Sequence, residues 1–133
     1  MARQIAKGIE LLDEVPGAGP EAGKGSEVTY NARVFLRKGD EVTRDAGIIS
    51  RGREHLNTRV LDGVELIDHV IELGRRRSIA GIEKSLYGMQ KGGYREVVVA
   101  PHLAYGVNGV TDLIPANALL RIQLWVQDVQ PAT

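Results

Sequence analysis

Residues 102–128 read HLAYGVNGVTDLIPANALLRIQLWVQD, a glycine-containing loop that runs directly into an alternating strand. The strand's apolar residues alternate with polar ones, and they are Leu120, Ile122, Leu124 and Val126. This two-residue period is typical of a strand with one buried face. Tyr105 stands at one end of the loop and the Ile114-Pro115 pair at the other, so the sequence predicts an arch pinned at both ends beside an antiparallel sheet.

Two earlier segments have strand character as well. From Glu27 to Leu36, apolar residues alternate with polar ones until a hairpin-like turn, Arg37-Lys38-Gly39-Asp40. Tyr94–Ala100 contains the run Val97-Val98-Val99. Both segments predict antiparallel strands that share a sheet with the strand from Leu120 to Val129.

A short helix is predicted at Ile79–Tyr87. Its apolar residues recur every three or four positions, at Ile79, Ile82, Leu86 and Met89. Gly88 and the Gly92-Gly93 pair close it. With 133 residues the chain is about the size of one domain. The expected architecture is therefore a mostly antiparallel sheet packed on one short helix.

The composition excludes several classes of function. Seventeen basic and seventeen acidic residues leave no net charge, so neither nucleic acid nor a membrane surface is an expected partner. The chain has no cysteine, which rules out disulfides and thiolate metal sites and is compatible with a reducing compartment. The charged N-terminus lacks the apolar core of a signal peptide, and we expect a cytoplasmic protein. The three histidines have no metal-ligand spacing, so neither a metal nor a cofactor is expected.

The order of several short motifs identifies a family. These motifs are Leu73-Gly74, Ile79-Ala80-Gly81-Ile82-Glu83, Gly88-Met89, Ala100-Pro101, Ala104-Tyr105-Gly106 and Leu113-Ile114-Pro115. In this order and spacing the chain resembles the FKBP-type peptidyl-prolyl cis-trans isomerases over nearly its whole length. The resemblance implies one α+β domain over residues 1–133, a half-open antiparallel β-sheet wrapped around one short α-helix.

The resemblance also implies an activity, the cis-trans isomerisation of X-Pro bonds in proteins. Such a site is a shallow apolar pocket for a proline ring and also takes macrolides of the FK506 kind. By similarity, the Ile79 backbone N–H and the Tyr105 hydroxyl donate hydrogen bonds to substrate carbonyls. The residues implied as pocket lining are Val42, Ile82, Ile114 and Ile122.

Several pocket positions depart from the family pattern. Ala32 stands where a tyrosine is usual, Val42 where a phenylalanine is usual, and Ile82 where a tryptophan is usual. Thr43 stands where an aspartate is usual, and His69 and Ile122 each stand where an aromatic residue of the pocket wall is usual. Each lost aromatic contact removes about 0.5–1.5 kcal/mol of interaction free energy, in addition to the loss of buried apolar area. Two functions therefore remain open, an isomerase of weakened activity and a catalytically impaired protein-binding module.

Three features have alternative interpretations. Tyr105 is either a substrate-binding residue or a core tyrosine, and its Ala-Tyr-Gly context favours the site. Arg75-Arg76-Arg77 indicates either phosphate contacts or, as we favour, a solvated turn.

The segment Thr43–Asp68 is longer than is usual for the family and is either an elaborated edge or a partner-binding element. Its residues Val60, Val64, Ile67 and Ile71 predict packing on the body of the domain, with turns at Gly63 and Gly74.

Overall fold

The computed structural model describes residues 3–42 and 57–132. In chain order, its elements are β1 (Arg3–Ala6), β2 (Ile9–Val15), β3 (Glu27–Leu36), β4 (Thr58–Leu61), β5 (Val64–Ile67), β6 (His69–Glu72), α1 (Ala80–Leu86), β7 (Tyr94–Val99), a 3-10 turn (Pro101–Leu103) and β8 (Leu120–Gln130).

Six strands form one antiparallel sheet in the order β1-β2-β7-β8-β3-β6. Its longest strands, β3 and β8, pair from Glu27 opposite Gln130 to Leu36 opposite Leu120. Along its other edge β8 pairs with β7. The three strands predicted from the sequence are therefore neighbours in the sheet, which confirms the predicted antiparallel architecture.

The helix α1 lies against the inner face of this sheet. It begins and ends one residue inside the predicted span, because Ile79 and Tyr87 have extended backbone, with ψ of 150° and 132°. Ile82 and Leu86 point into the core and are fully buried. From β7, the Arg95 guanidinium donates to the carbonyls of Ser85 and Tyr87, both at 2.9 Å. These two bonds satisfy carbonyls at the helix C-terminus, which have no partner within the helix.

The described part of the long segment is the β4–β5 hairpin, and residues 43–56 lie outside the described residues. The predicted turn is present, since Gly63 has φ of +78°. The packing predicted for Val60 is wrong, because this side chain is 67% exposed. Cross-strand partners share a face of a hairpin, and Arg59 opposite Leu66 takes the inward face. Leu66 is buried instead, and Val60, one residue along, points to solvent.

A buried polar network joins the hairpin to the outer face of the sheet. Arg59 forms a two-pronged ion pair with Asp68, with both distances at 2.7 Å. The Asn31 side-chain amide from β3 donates to the same carboxylate at 2.6 Å and to the Ile67 carbonyl at 2.8 Å. Gln127 of β8 donates to Asn31 and accepts from Arg59. The Arg59 ion pair, more than the Asn31 bond, holds the pKa of Asp68 below its usual value.

Candidate functional site

The loop between β7 and β8 is a hydrogen-bonded arch, the name used here for the segment from Tyr105 to Ile114. Val110 and Ile114 exchange two backbone hydrogen bonds of 2.8 Å each, and the Gly109 N–H donates to the Tyr105 carbonyl at 3.0 Å. Gly106 and Gly109 have φ of +56° and +59°, a conformation that favours glycine. Gly109 also lies too close to the Ile114 carbonyl for any β-carbon. The backbone therefore holds both ends of the arch in fixed positions.

All six residues implied as site residues belong to the hydrophobic core of the domain or pack against it. Val42, Ile82, Ile114 and Ile122 belong to it, and Ile79 and Tyr105 pack against it. Ile82 and Ile122 have no exposed surface, and Ile114 and Val42 are nearly as buried. Ile79 and Tyr105 are half-buried. Solvent therefore reaches these six residues mainly at Ile79 and Tyr105.

Ile79 stands immediately before the first residue of the helix. Its carbonyl accepts hydrogen bonds from the Ile82 and Glu83 N–H groups at 3.1 Å each. The N–H groups at the start of a helix have no acceptor within that helix. The Glu83 carboxylate reaches back to accept from the Gly74 N–H at 2.7 Å, which ties the preceding turn to the helix.

Sequence reasoning missed one aromatic pair on the inner face. Tyr30 of β3 and His69 of β6 are cross-strand partners, and their rings stack with centroids 5.3 Å apart and planes 30° apart. Both side chains are buried. Burial lowers the pKa of His69 to about 4, while the adjacent Asp68 carboxylate acts in the opposite direction. The alternation from Val28 to Val34 already placed Tyr30 on the inner face and was the signal available.

Three other aromatic residues lie on the outer face of the sheet, away from the helix. Phe35 lies between two guanidinium groups, with Arg33 5.0 Å and Arg121 4.2 Å from its ring centroid. Tyr94 and Trp125 contact each other with centroids 5.2 Å apart. The aromatic residues of the sheet are therefore divided between its two faces.

The described residues contain neither a metal-binding cluster nor a membrane-spanning helix. Within residues 3–42 and 57–132, no group of three or more His, Asp or Glu side chains is arranged to hold a metal ion. In the same part of the chain, no helix has the length and apolar character needed to cross a membrane.

Comparison with known protein families shows the family to which the chain belongs. Residues 19–125 match the family described as FKBP-type peptidyl-prolyl cis-trans isomerase. The chain belongs to this FKBP family.

Individual FKBP relatives agree with the family match. The chain is 34% identical over 113 residues to FK506-binding protein 1A of Neurospora crassa, covering 84% of this chain and 85% of that protein. It is 28% identical over 129 residues to the 46 kDa FK506-binding nuclear protein of Spodoptera frugiperda, covering 96% of this chain. It spans only 27% of that insect protein's length.

Solved structures agree on the fold. The structure of a peptidyl-prolyl cis-trans isomerase from Pseudomonas syringae pv. tomato superimposes with a TM-score of 0.70 at 21% identity, over 98% of this chain and 81% of that one. The FkpA structure from Escherichia coli gives the same TM-score at 26% identity and covers 99% of this chain and 53% of that one. The α+β FKBP-like fold expected from the sequence is thus confirmed.

Four of the residues predicted to replace pocket aromatics of the family are aliphatic. Ala32, Val42, Ile82 and Ile122 are all buried in the hydrophobic core. Two predicted substitutions remain: Thr43 lies outside the described residues, and His69 stacks on Tyr30. Tyr30 stands two residues before Ala32, on the same face of β3 because strand side chains alternate. A buried aromatic ring therefore lies on the inner face of β3 at Tyr30.

Proposed function

We propose that this FKBP chain catalyses cis-trans isomerisation of X-Pro bonds in polypeptides. The observation that carries the proposal is that Tyr105 and Ile79, both half-buried, pack against the apolar core that contains Ile114 and Ile82. Family membership supports the same activity. Tyr105 and Ile79 are the proposed hydrogen-bond donors, and Val42, Ile82, Ile114 and Ile122 are the proposed apolar lining.

The chemistry requires no acid, base or nucleophile. The barrier to rotation about the amide is about 18–20 kcal/mol and arises from resonance in the planar bond. An apolar environment around the proline excludes water. Water solvates the planar, polar amide better than the twisted one, so its exclusion favours rotation. Catalysis then comes from contacts that are stronger in the twisted transition state than in either isomer.

Each proposed donor has a separate role. The Ile79 N–H is fixed by the start of the helix, and it would orient one substrate carbonyl. The Tyr105 hydroxyl stands at the foot of the rigid arch, and it would hold a second carbonyl while its ring covers one side of the proline. Because the arch is closed by its own hydrogen bonds, ordering this site on binding costs little conformational entropy.

A proline-peptide isomerisation assay tests the proposal. The rate of cis-trans exchange of an Ala-Leu-Pro-Phe peptide is measured by NMR with and without the chain, and then with a macrolide of the FK506 kind. We expect acceleration that the macrolide suppresses. Slow exchange at the uncatalysed rate, with or without macrolide, would reject an isomerase function.

The second candidate function is that of a catalytically impaired protein-binding module. The observation in its favour is the aliphatic character of Ala32, Val42, Ile82 and Ile122, which reduces the aromatic area available to a proline ring. Calorimetry distinguishes the two functions. A module binds proline peptides or the macrolide without accelerating exchange, whereas an enzyme does both.

The cytoplasmic location expected from the sequence stays a prediction. Fractionation of cells that produce the tagged chain measures where it resides.

A further inference from the structure

A cationic turn stands directly before the proposed Ile79 donor. This basic turn, defined as Arg75–Arg77, follows Gly74 and is exposed to solvent. The Arg75 guanidinium pairs with Glu72 at 2.8 Å. Arg76 and Arg77 form no hydrogen bond or ion pair with any residue that the structure describes. Two guanidinium groups are therefore available at this position for an external anion.

Within residues 3–42 and 57–132, the surroundings of the basic turn do not neutralise it. A β-carbon placed on Gly74 would come within 3.3 Å of the Lys24 Cγ atom, so the Lys24 side chain lies over the same turn. Of the nearby carboxylates, that of Glu72 pairs with Arg75 and that of Glu83 accepts from the Gly74 N–H. The described residues therefore leave a local excess of positive charge here, in a chain whose net charge is zero.

We propose that the basic turn selects polypeptide substrates that carry an acidic side chain within about three residues of the isomerised proline. This inference rests on the proposed function. Arg77 precedes Ile79 by two residues, and an extended residue spans about 3.3–3.6 Å. A substrate carbonyl at the Ile79 N–H is thus roughly 7 Å of chain from Arg77. Guanidinium groups bind carboxylates with two parallel hydrogen bonds, which gives this contact its specificity.

An acidic peptide fits the charge pattern better than nucleic acid does. Binding to nucleic acid depends on many phosphate contacts along an extended basic surface. The positive excess here is confined to one turn beside an apolar site. A single carboxylate near a proline matches both features.

The test compares three proline peptides that differ at the residue after proline, which is Glu, Gln or Lys. The ratio of kcat/KM for the Glu peptide over the Gln peptide measures the selection. For the native chain at low salt we expect a ratio of roughly two to ten, since exposed charge pairs are individually weak. The Lys peptide is expected to be the poorest of the three. Added salt should reduce the ratio because it screens exposed charges.

Two variants assign the selection to the basic turn. The double variant Arg76→Gln, Arg77→Gln should bring the Glu-to-Gln ratio close to one. The control Lys7→Gln also removes a positive charge, but it lies beside β1 at the opposite edge of the sheet from β6, and it should keep the native ratio. A native ratio of one, or a double variant with the native ratio, would overturn the proposal.

Binding measurements separate this proposal from the proposed function. NMR titration gives affinities for the same three peptides whether or not turnover occurs. If no peptide is isomerised but the Glu peptide binds more tightly through Arg76 and Arg77, the isomerase proposal fails and the selection stands. If all peptides are isomerised equally well, the selection fails and the isomerase proposal stands.

Discussion

Gly81 of the helix contacts Val99 of the sheet so closely that a β-carbon on residue 81 would overlap the Val99 side chain. The helix can approach the sheet at this distance only because residue 81 has no side chain. This contact fixes how deeply Ile82, the next residue, enters the hydrophobic core.

The first prediction is that Gly81→Ala destabilises the fold. Replacing glycine by alanine inside a helix normally raises the free energy of unfolding by roughly 0.5–1 kcal/mol. Overpacking a filled core lowers it by about 1–3 kcal/mol. We expect overpacking to dominate and to lower the free energy of unfolding in urea. Gly23→Ala is the control, because a β-carbon there meets nothing within 4 Å. Equal stability of the two variants would contradict the close contact.

The second prediction is a loss of stability in mild acid caused by His69. Because the folded-state pKa of about 4 lies below the ordinary 6.5, the unfolded chain binds the proton more readily. This contribution to stability is complete above the unfolded pKa, declines as the pH falls below it, and is lost once the pH passes the folded pKa. From about pH 7.5 to about pH 5 we expect the free energy of unfolding to fall by about 2 kcal/mol.

Two variants identify His69 as the group responsible. His69→Phe keeps a ring stacked on Tyr30 and should flatten the pH dependence above about pH 5. His102→Gln, at an exposed position, should leave it intact. Asp68 does not interfere, because its pKa is lowered from 3.8 and it titrates at more acidic pH. A native slope in His69→Phe would show that another group titrates.

The third prediction concerns the floor of the proposed pocket. Ile82→Trp restores the aromatic residue that the family resemblance implies, and it should raise macrolide affinity and isomerisation rate. Because residue 82 is fully buried, the larger ring should also cost about 1–3 kcal/mol of stability. Calorimetry measures the affinity and urea unfolding the stability. Unchanged affinity and rate in a folded variant would remove Ile82 from the site.

The fourth prediction concerns the backbone of the basic turn. Arg76 has φ of +56°, the left-handed region, where a residue with a β-carbon costs about 1–2 kcal/mol relative to glycine. Arg76→Gly should therefore raise the free energy of unfolding while it lowers the preference for acidic peptides. Arg77→Gly is the matched control and should lower the preference without the gain in stability. A less stable Arg76→Gly variant would contradict the assigned strain.

The sequence predicted the centre of the sheet well because its strands have one polar and one apolar face. β3 and β8 alternate clearly and β7 contains a run of three valines, and the predicted bounds of all three lie within one or two residues of the observed ones. The helix was also predicted, because its apolar stripe matches the 3.6-residue period. Its ends differ only where Ile79 and Tyr87 become extended.

Elements that depend on tertiary contacts were not predictable in this way. β6 begins with a buried histidine, His69, whose environment depends on stacking with Tyr30. Val60 looked like a core residue, but the Arg59–Asp68 ion pair fixes the hairpin in the register that turns Val60 outward. Such a preference comes from a partner distant in sequence, which a local pattern does not contain.

The last prediction concerns Tyr105, which carries the central claim that this pocket isomerises X-Pro bonds. Removing the hydroxyl with Tyr105→Phe should cost about one net hydrogen bond in the transition state, ~0.5–1.5 kcal/mol, or a roughly two- to tenfold loss of kcat/KM. The measurement is NMR exchange of a proline peptide catalysed by the native chain and by the variant, alongside urea unfolding of both. We predict acceleration by the native chain, a two- to tenfold slower variant and nearly equal stabilities. No acceleration by the native chain, or a variant that loses stability but no activity, would contradict the account.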